Sequence, residues 1–234
     1  MRAQALHHAS HRSVFGTVLS EQPLMRNVLA DLCVESEAAT IASMRLARAY
    51  DEAAAGDEDA ANFRRLANAV LKYWLCKRAP SHAVECLECL GGNGYVEESG
   101  MPRLYREAPL ASIWEGSGNV QCLDALRAMV KSPASVEAFF AEVEAGAGAE
   151  PKLDGYIAAL KDEIPGDIET IEARARRIVE KMAVALQASL LIRYNDKTVA
   201  DTFCTNRLNN NWGQTFNTLP AKTNFNHIIE RHRP

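Results

Sequence analysis

Apolar residues return every three or four positions over most of this chain, the spacing of amphipathic helices. Ser20, followed by Glu21, Gln22 and Pro23, reads as a helix start. From there Leu24, Val28, Leu32, Ala39, Met44 and Ala47 predict one helix to about Tyr50. The acidic, glycine-containing stretch 51–59 (DEAAAGDED) breaks it. Phe63, Leu66, Ala67, Val70, Leu71, Trp74 and Leu75 then hold three-four spacing for almost four turns, the strongest helical signal in the chain. Pro80 is expected to end or kink that helix, with Ser81 capping a shorter one through Val84, Leu87 and Leu90. Residues 91–119 lose the period and are rich in Gly and Pro. A loop of that length inside a helical domain usually carries function. Helix resumes near Asn119 and runs to about Val130, through Val120, Leu123, Leu126 and Ala128. Residues 146–151 (GAGAEP) read as a connection. Ile168, Ile171, Ala175, Ile178, Met182, Leu186 and Leu190 mark another long helix, 198–209 gives one more, and the tail from Asn210 has no clear period. No stretch alternates as a strand does, so the expected fold class is all-α.

Composition narrows the function more than the fold. A chain of 234 residues with 47% hydrophobic and 24% charged residues can bury one large helical core or two smaller ones. Its net charge of −4 gives no global reason to bind nucleic acid. The first ten residues, MRAQALHHAS, lack the apolar stretch of a secretory signal, and no run is long and apolar enough to span a bilayer. A cytoplasmic location without membrane association is the expectation. The six cysteines, Cys33, Cys76, Cys86, Cys89, Cys122 and Cys204, are then expected to be reduced. Cys86 and Cys89 form a CxxC, but no second CxxC or His pair completes a ligand set. They are read as small packed residues, and no metal site is expected.

Three motifs carry the candidate chemistry. They are Arg12-Ser13-Val14-Phe15-Gly16, Leu90-Gly91-Gly92-Asn93-Gly94-Tyr95, and Ile113-Trp114-Glu115-Gly116-Ser117-Gly118-Asn119. Taken singly they have plain readings: Arg12 as a surface arginine, Gly91–Gly94 as a helix end and turn, Glu115 as a loop glutamate, Ser117 as a helix cap. In this order on a helical background, roughly over residues 1–130, the chain resembles the C-terminal helical domain of acyl-CoA dehydrogenases. Residues 96–129 (VEESGMPRLYREAPLASIWEGSGNVQCLDALRAM) and 20–38 (SEQPLMRNVLADLCVESEA) resemble its alkylation-response (AidB-like) branch. The implied organisation is a dehydrogenase-type helical bundle over 1–146 and an additional helical segment over 151–234, where the match around 202–216 (TFCTNRLNNNWGQTF) is looser.

The resemblance implies an FAD-dependent enzyme that removes the α-proton and β-hydride of an acyl-CoA thioester. Glu115 matches the carboxylate base. Arg12 matches an arginine that reaches the FAD phosphates of a neighbouring subunit, and Phe15 an aromatic near that FAD. Gly91, Gly92 and Asn93 match the loop approached by the ADP portion; Ser117 and Asn119 match residues that contact flavin phosphates. The residue chemistry agrees. Arginine forks and helix-start N–H groups suit phosphate, paired glycines allow close backbone approach, and burial raises a carboxyl toward a useful base. Ile113 and Trp114 are expected to supply that dry setting. The chain departs from the wider family at Glu88, where Gln is common, at Trp114 for Tyr and at Ser117 for Thr.

The family's N-terminal and middle β-domains have no counterpart here. The chain is therefore expected to be a truncated gene product, a cloned fragment or one part of a split protein, colourless and inactive alone. Two other readings stand beside the enzyme. A homo-oligomerisation module, dimer or tetramer, follows from the family's use of this bundle as a subunit interface. Double-stranded DNA binding follows from the branch and from a charge split: residues 1–150 hold 14 basic and 20 acidic residues, whereas 151–234 hold 12 and 10. The candidate basic residues are Arg174, Arg176, Arg177, Lys181, Arg193, Lys197 and Arg207.

Overall fold

The computed structural model describes residues 1–164, 170–209, 219 and 222–232. Its helices are α1 (Arg2–His11), α2 (Pro23–Ala54), α3 (Glu58–Glu88), α4 (Gly92–Tyr95), α5 (Met101–Glu107), α6 (Gly118–Lys131), α7 (Pro133–Glu144), α8 (Pro151–Glu163), α9 (Ile171–Tyr194), α10 (Lys197–Arg207) and α11 (Phe225–Glu230). Ser13–Val14 and Thr17–Val18 pair antiparallel as a minimal hairpin, β1 and β2, in the register Ser13 to Val18 and Val14 to Thr17. The all-α expectation holds apart from this ribbon.

The bundle is built on α2 and α3, which pack along each other after the short turn at residues 55–57. Asp57 caps α3 by accepting from the Ala60 N–H at 2.9 Å. α6 and α7 lie on α3, where Phe63 stacks on Phe139 with ring centroids 6.2 Å apart. α9 touches α2, α3, α6, α7 and α8, which is why its residues 182–191 are almost entirely buried. The Trp74 indole N–H donates to Gln187 Oε1 at 3.0 Å and ties α3 to α9 inside that core. The apolar core runs without a break from Leu29 and Val70 to Met182 and Leu190.

Several sequence expectations are corrected. α3 continues through Pro80 to Glu88, and Ser81 is interior rather than a cap. Proline removes one N–H, a cost of about 3 kcal/mol, but apolar residues on both sides of it are buried and hold the helix together. α2 starts at Pro23 after a 3-10 turn over Leu19–Glu21, so Ser20 does not cap it. Leu24 and Met44 lie on its exposed face, whereas Val28 and Leu32 are core. The interval 91–119 is not plain loop: α4, α5 and short 3-10 turns occupy much of it. α1, α7, α8 and α11 were not anticipated. Ile168 and most of the tail from Asn210 lie outside the described residues.

Candidate active site

Glu115 sits in the irregular link between a 3-10 turn, Ala108–Ser112, and α6. This link is braced against α3. Lys72 Nζ donates to the carbonyls of Ala111 and of Trp114, the latter at 3.2 Å, and Lys77 Nζ donates to Ser112 Oγ at 3.4 Å. On the other side, Gln121 Nε2 donates to the Glu115 carbonyl at 3.1 Å. The backbone between these clamps is left-handed, with φ 51° at Glu115 and 99° at Gly116. A non-glycine residue there is strained, and such strain persists only where the surroundings over-determine it. A Cβ on Gly116 would come within 2.3 Å of Gln121 Nε2, the far end of a flexible side chain, so it would displace Gln121; it is the left-handed φ that calls for glycine. The expected dry setting is absent from this chain: Ile113 is 64% and Trp114 57% exposed, and Glu115 is exposed beside them. Their outward faces offer an apolar rim that only another surface can close over the carboxylate.

The start of α6 adjoins this carboxylate. Ser117 occupies the N-cap position at φ −65°, ψ 170°, yet its side chain makes no capping bond. Ser117 is thus the cap in position but not in bonding, and the first α6 N–H groups keep their capacity to bind an anion. Two cations flank them. A Cβ on Gly118 would meet Lys77 Cε at 2.7 Å, which places Lys77 against the helix start. Arg176 of α9 donates from Nε to Asn119 Oδ1 at 2.9 Å.

The other predicted residues converge elsewhere. Arg12 ends α1, its N–H bonded to the His8 carbonyl at 2.9 Å and its carbonyl accepting from Leu19 N–H at 2.8 Å. It lines a groove of about 410 Å³ with Val14, Glu88, Gly91, Gly92 and Asn93. Gly91 adopts φ 57°, and a Cβ on Gly91 or Gly92 would project into open space rather than onto protein. The groove thus has the backbone approach that a phosphate or sugar needs, with Glu88 as an acid on its wall. Phe15 is not in the groove. It forms the hairpin turn with Gly16 at φ 52° and 80°, the mirror-image turn that suits such ribbons, and its ring is wholly exposed. The glycines follow the end of α3 while the Glu115 link is braced at Lys72 and Lys77. The two clusters therefore sit roughly 17–24 Å apart along that helix.

Other charged groups are committed to structure. Arg174 donates to the Glu163 carbonyl at 2.8 Å, Arg177 pairs with Glu163 at 2.8 Å, and Lys181 also pairs with Glu163. Arg193 pairs with Glu142 at 2.7 Å, Lys197 with Asp201 at 2.7 Å, and Arg207 with Asp31 and Glu35. With Arg176 on Asn119, all seven candidate DNA contacts have partners within the chain. Burial alone would raise the Glu35 carboxyl, but Arg207 and Arg78 outweigh it and hold it at about 2. Burial likewise opposes His232, Arg231 and Asn195 at Glu37, which is also held at about 2. Both are fixed anions and poor bases. Cys86 and Cys89 are buried, and burial pushes the Cys86 thiol up to about 12 and that of Cys89 higher still. No group of three or more metal-ligating side chains occurs among the described residues, and no helix there is long and apolar enough to cross a membrane.

Lys72, Lys77, Gln121 and Arg176 were not singled out for the site from the sequence. The lysines look like the polar face of α3, and Gln121 like an ordinary first-turn residue. Arg176 lies 57 positions from the residue it holds. No spacing rule links such partners; only the packing of α9 on α6 does.

Residues 2–130 match the family model described as "Acyl-CoA dehydrogenase, C-terminal domain". The "Putative acyl-CoA dehydrogenase AidB" of Escherichia coli (strain K12) is 37% identical over 203 residues, 86% of this chain and 36% of that protein. "Acyl-CoA dehydrogenase family member 11" of Caenorhabditis elegans is 31% identical, over 70% of this chain and 27% of that protein. The solved structure of C. elegans ACDH-11 in complex with C11-CoA superposes with a TM-score of 0.75 at 28% identity, covering 86% of this chain and 39% of that one. The chain thus spans about a third of the length of these relatives. This helical bundle, matched by sequence and by structure, belongs to the acyl-CoA dehydrogenase family.

Proposed function

We propose that this chain is the helical part of an FAD-dependent acyl-CoA dehydrogenase in which Glu115 removes the α-proton of an acyl-CoA thioester. The observation that carries this is the left-handed, doubly clamped backbone at Glu115, directly before a helix start whose Ser117 makes no cap. A carboxylate presented from such a mount is oriented before substrate arrives. A relative's structure in complex with C11-CoA supports the thioester class. Hydride acceptance from the β-carbon is the chemistry a bound FAD supplies.

The chain's own residues divide the remaining work. Lys72 and Gln121 orient Glu115. Ser117, Asn119 and the first N–H groups of α6 suit flavin phosphates. Arg12 suits a phosphate in the groove formed with Gly91, Gly92 and Asn93, where backbone approach favours the ADP end. Phe15, at an exposed hairpin tip, suits a neighbouring subunit's FAD, which makes a dimer or tetramer part of the reading. Ile113 and Trp114 become the wall of the substrate site once another domain covers them. The chain alone is expected to lose flavin during purification and to be inactive.

The test joins this chain to the family's middle and N-terminal domains and measures bound flavin and acyl-CoA-dependent dye reduction together. Glu115→Gln should keep flavin and lose about a hundredfold or more of turnover, the usual effect of removing a general base. Arg12→Ala should lower flavin retention. Full turnover by Glu115→Gln would place the base elsewhere.

A further inference from the structure

Arg176 lies on α9, beyond the residues 2–130 that match the family domain. Its Nε–H nevertheless reaches Asn119 Oδ1 at 2.9 Å. A guanidinium has five donors and no acceptor. Asn119 must therefore turn its oxygen toward Arg176, which leaves both Nδ2 protons on the far side. A free asparagine amide presents either end to a ligand. This one presents donors only, and donors are what a phosphate oxygen requires.

The rest of α9 keeps Arg176 in place. Ala175, Ile178 and Val179 are buried and fix the helix rotation. The neighbouring Arg174 and Arg177 are engaged with Glu163. Arg176 is left facing the start of α6, in a shallow pocket with Asn119, Cys122, Leu123 and Glu172.

We infer that Arg176 is a positioning residue for the cofactor: it locks the Asn119 amide so that its Nδ2 donors face the flavin phosphates. This rests on Asn119 being a phosphate contact, and it assigns the segment after the family domain a part in cofactor binding.

The test titrates the ¹⁵N-labelled full chain with FAD at high concentration. It follows the Asn119 side-chain amide signals and the affinity, with each variant's Tm measured alongside. In the wild type the Asn119 Nδ2 signals should shift on addition of FAD. Arg176→Met keeps length and removes every donor; affinity should fall about three- to tenfold, the cost of ordering a loose side chain on binding. Arg176→Lys should restore part of it. Asn119→Asp stays paired with Arg176 but turns a carboxylate toward phosphate, so its loss should exceed about tenfold. If Arg176→Met lowers Tm and leaves FAD affinity unchanged, Arg176 merely staples α9 to α6 and the inference fails alone. If wild-type FAD binding leaves the Asn119 signals unmoved, or no FAD shift occurs, the phosphate role of Asn119 fails and the inference falls with it.

Discussion

Replacing Arg207 with methionine tests whether the C-terminal helices are docked by charge or by apolar packing. Arg207 is 3% exposed at its side chain and donates from one Nη to Asp31 at 2.5 Å and to Glu35 at 3.1 Å, both on α2. These carboxylates are 1% and 8% exposed, and Glu35 also accepts from Arg78 at 2.8 Å. Methionine fills most of the space and removes the cation. Glu35 keeps Arg78, but Asp31 loses its guanidinium partner while it stays buried. Removing one member of a buried pair costs about 3–5 kcal/mol. For a chain of this size that is a fall in Tm of roughly 6–20 °C. Urea denaturation at pH 7 measures it. The acid side gives an independent check. The folded-state Glu35 carboxyl lies at about 2 against an ordinary 4.5, so below 4.5 the unfolded chain binds more protons. The stabilisation it brings is complete above about 4.5 and is lost as pH falls toward about 2. The gap between wild type and Arg207→Met should narrow over that window. A loss under about 1 kcal/mol at pH 7, or a gap that widens on acidification, refutes the argument.

Gly116→Ala should destabilise the chain by about 1–3 kcal/mol, because a residue with a Cβ is strained at φ 99°. It should also displace Gln121 from the Glu115 carbonyl, visible in the Gln121 side-chain amide signals. Pro80→Ala should stabilise the chain by about 1–3 kcal/mol, since an N–H is restored inside a continuous helix; destabilisation in urea would mean that the ring packs productively. At pH 8 a thiol reagent should find one fast cysteine, the half-buried Cys76, because the other five are buried. Burial also holds the thiols of Cys33, Cys86 and Cys204 up near about 12 and that of Cys122 near about 11. Two or more fast thiols in the folded protein would contradict that packing.

Period and motif reach as far as local physics extends. The three-four spacing of Phe63 to Leu75 and of Ile171 to Leu190 determined two long helices, since a stripe of that width has to be buried. The Gly91-Gly92 and Glu115-Gly116 motifs marked where the helical pattern gives way; that the backbone turns left-handed at Gly91, Glu115 and Gly116 came from the structure. The same reasoning ends or kinks α3 at Pro80 and starts a new helix at Ser81, whereas the helix runs on to Glu88 because the local cost of proline is smaller than the packing of the whole helix. It also buried Ile113 and Trp114, whose exposure is settled by which surfaces lie opposite them rather than by their own hydrophobicity. Pairings across the fold were beyond it altogether. Lys72 with Trp114, Arg207 with Asp31 and Arg176 with Asn119 join residues 42, 176 and 57 positions apart. A charged side chain's partner depends on the three-dimensional approach of two helices, to which chain separation is no guide. The sequence alone therefore determined the course of the long helices, the family and the identity of the candidate carboxylate. Tertiary structure decided how that carboxylate is held, which basic residues are already spent on internal partners, and that a helix beyond the family domain reaches back to the start of α6.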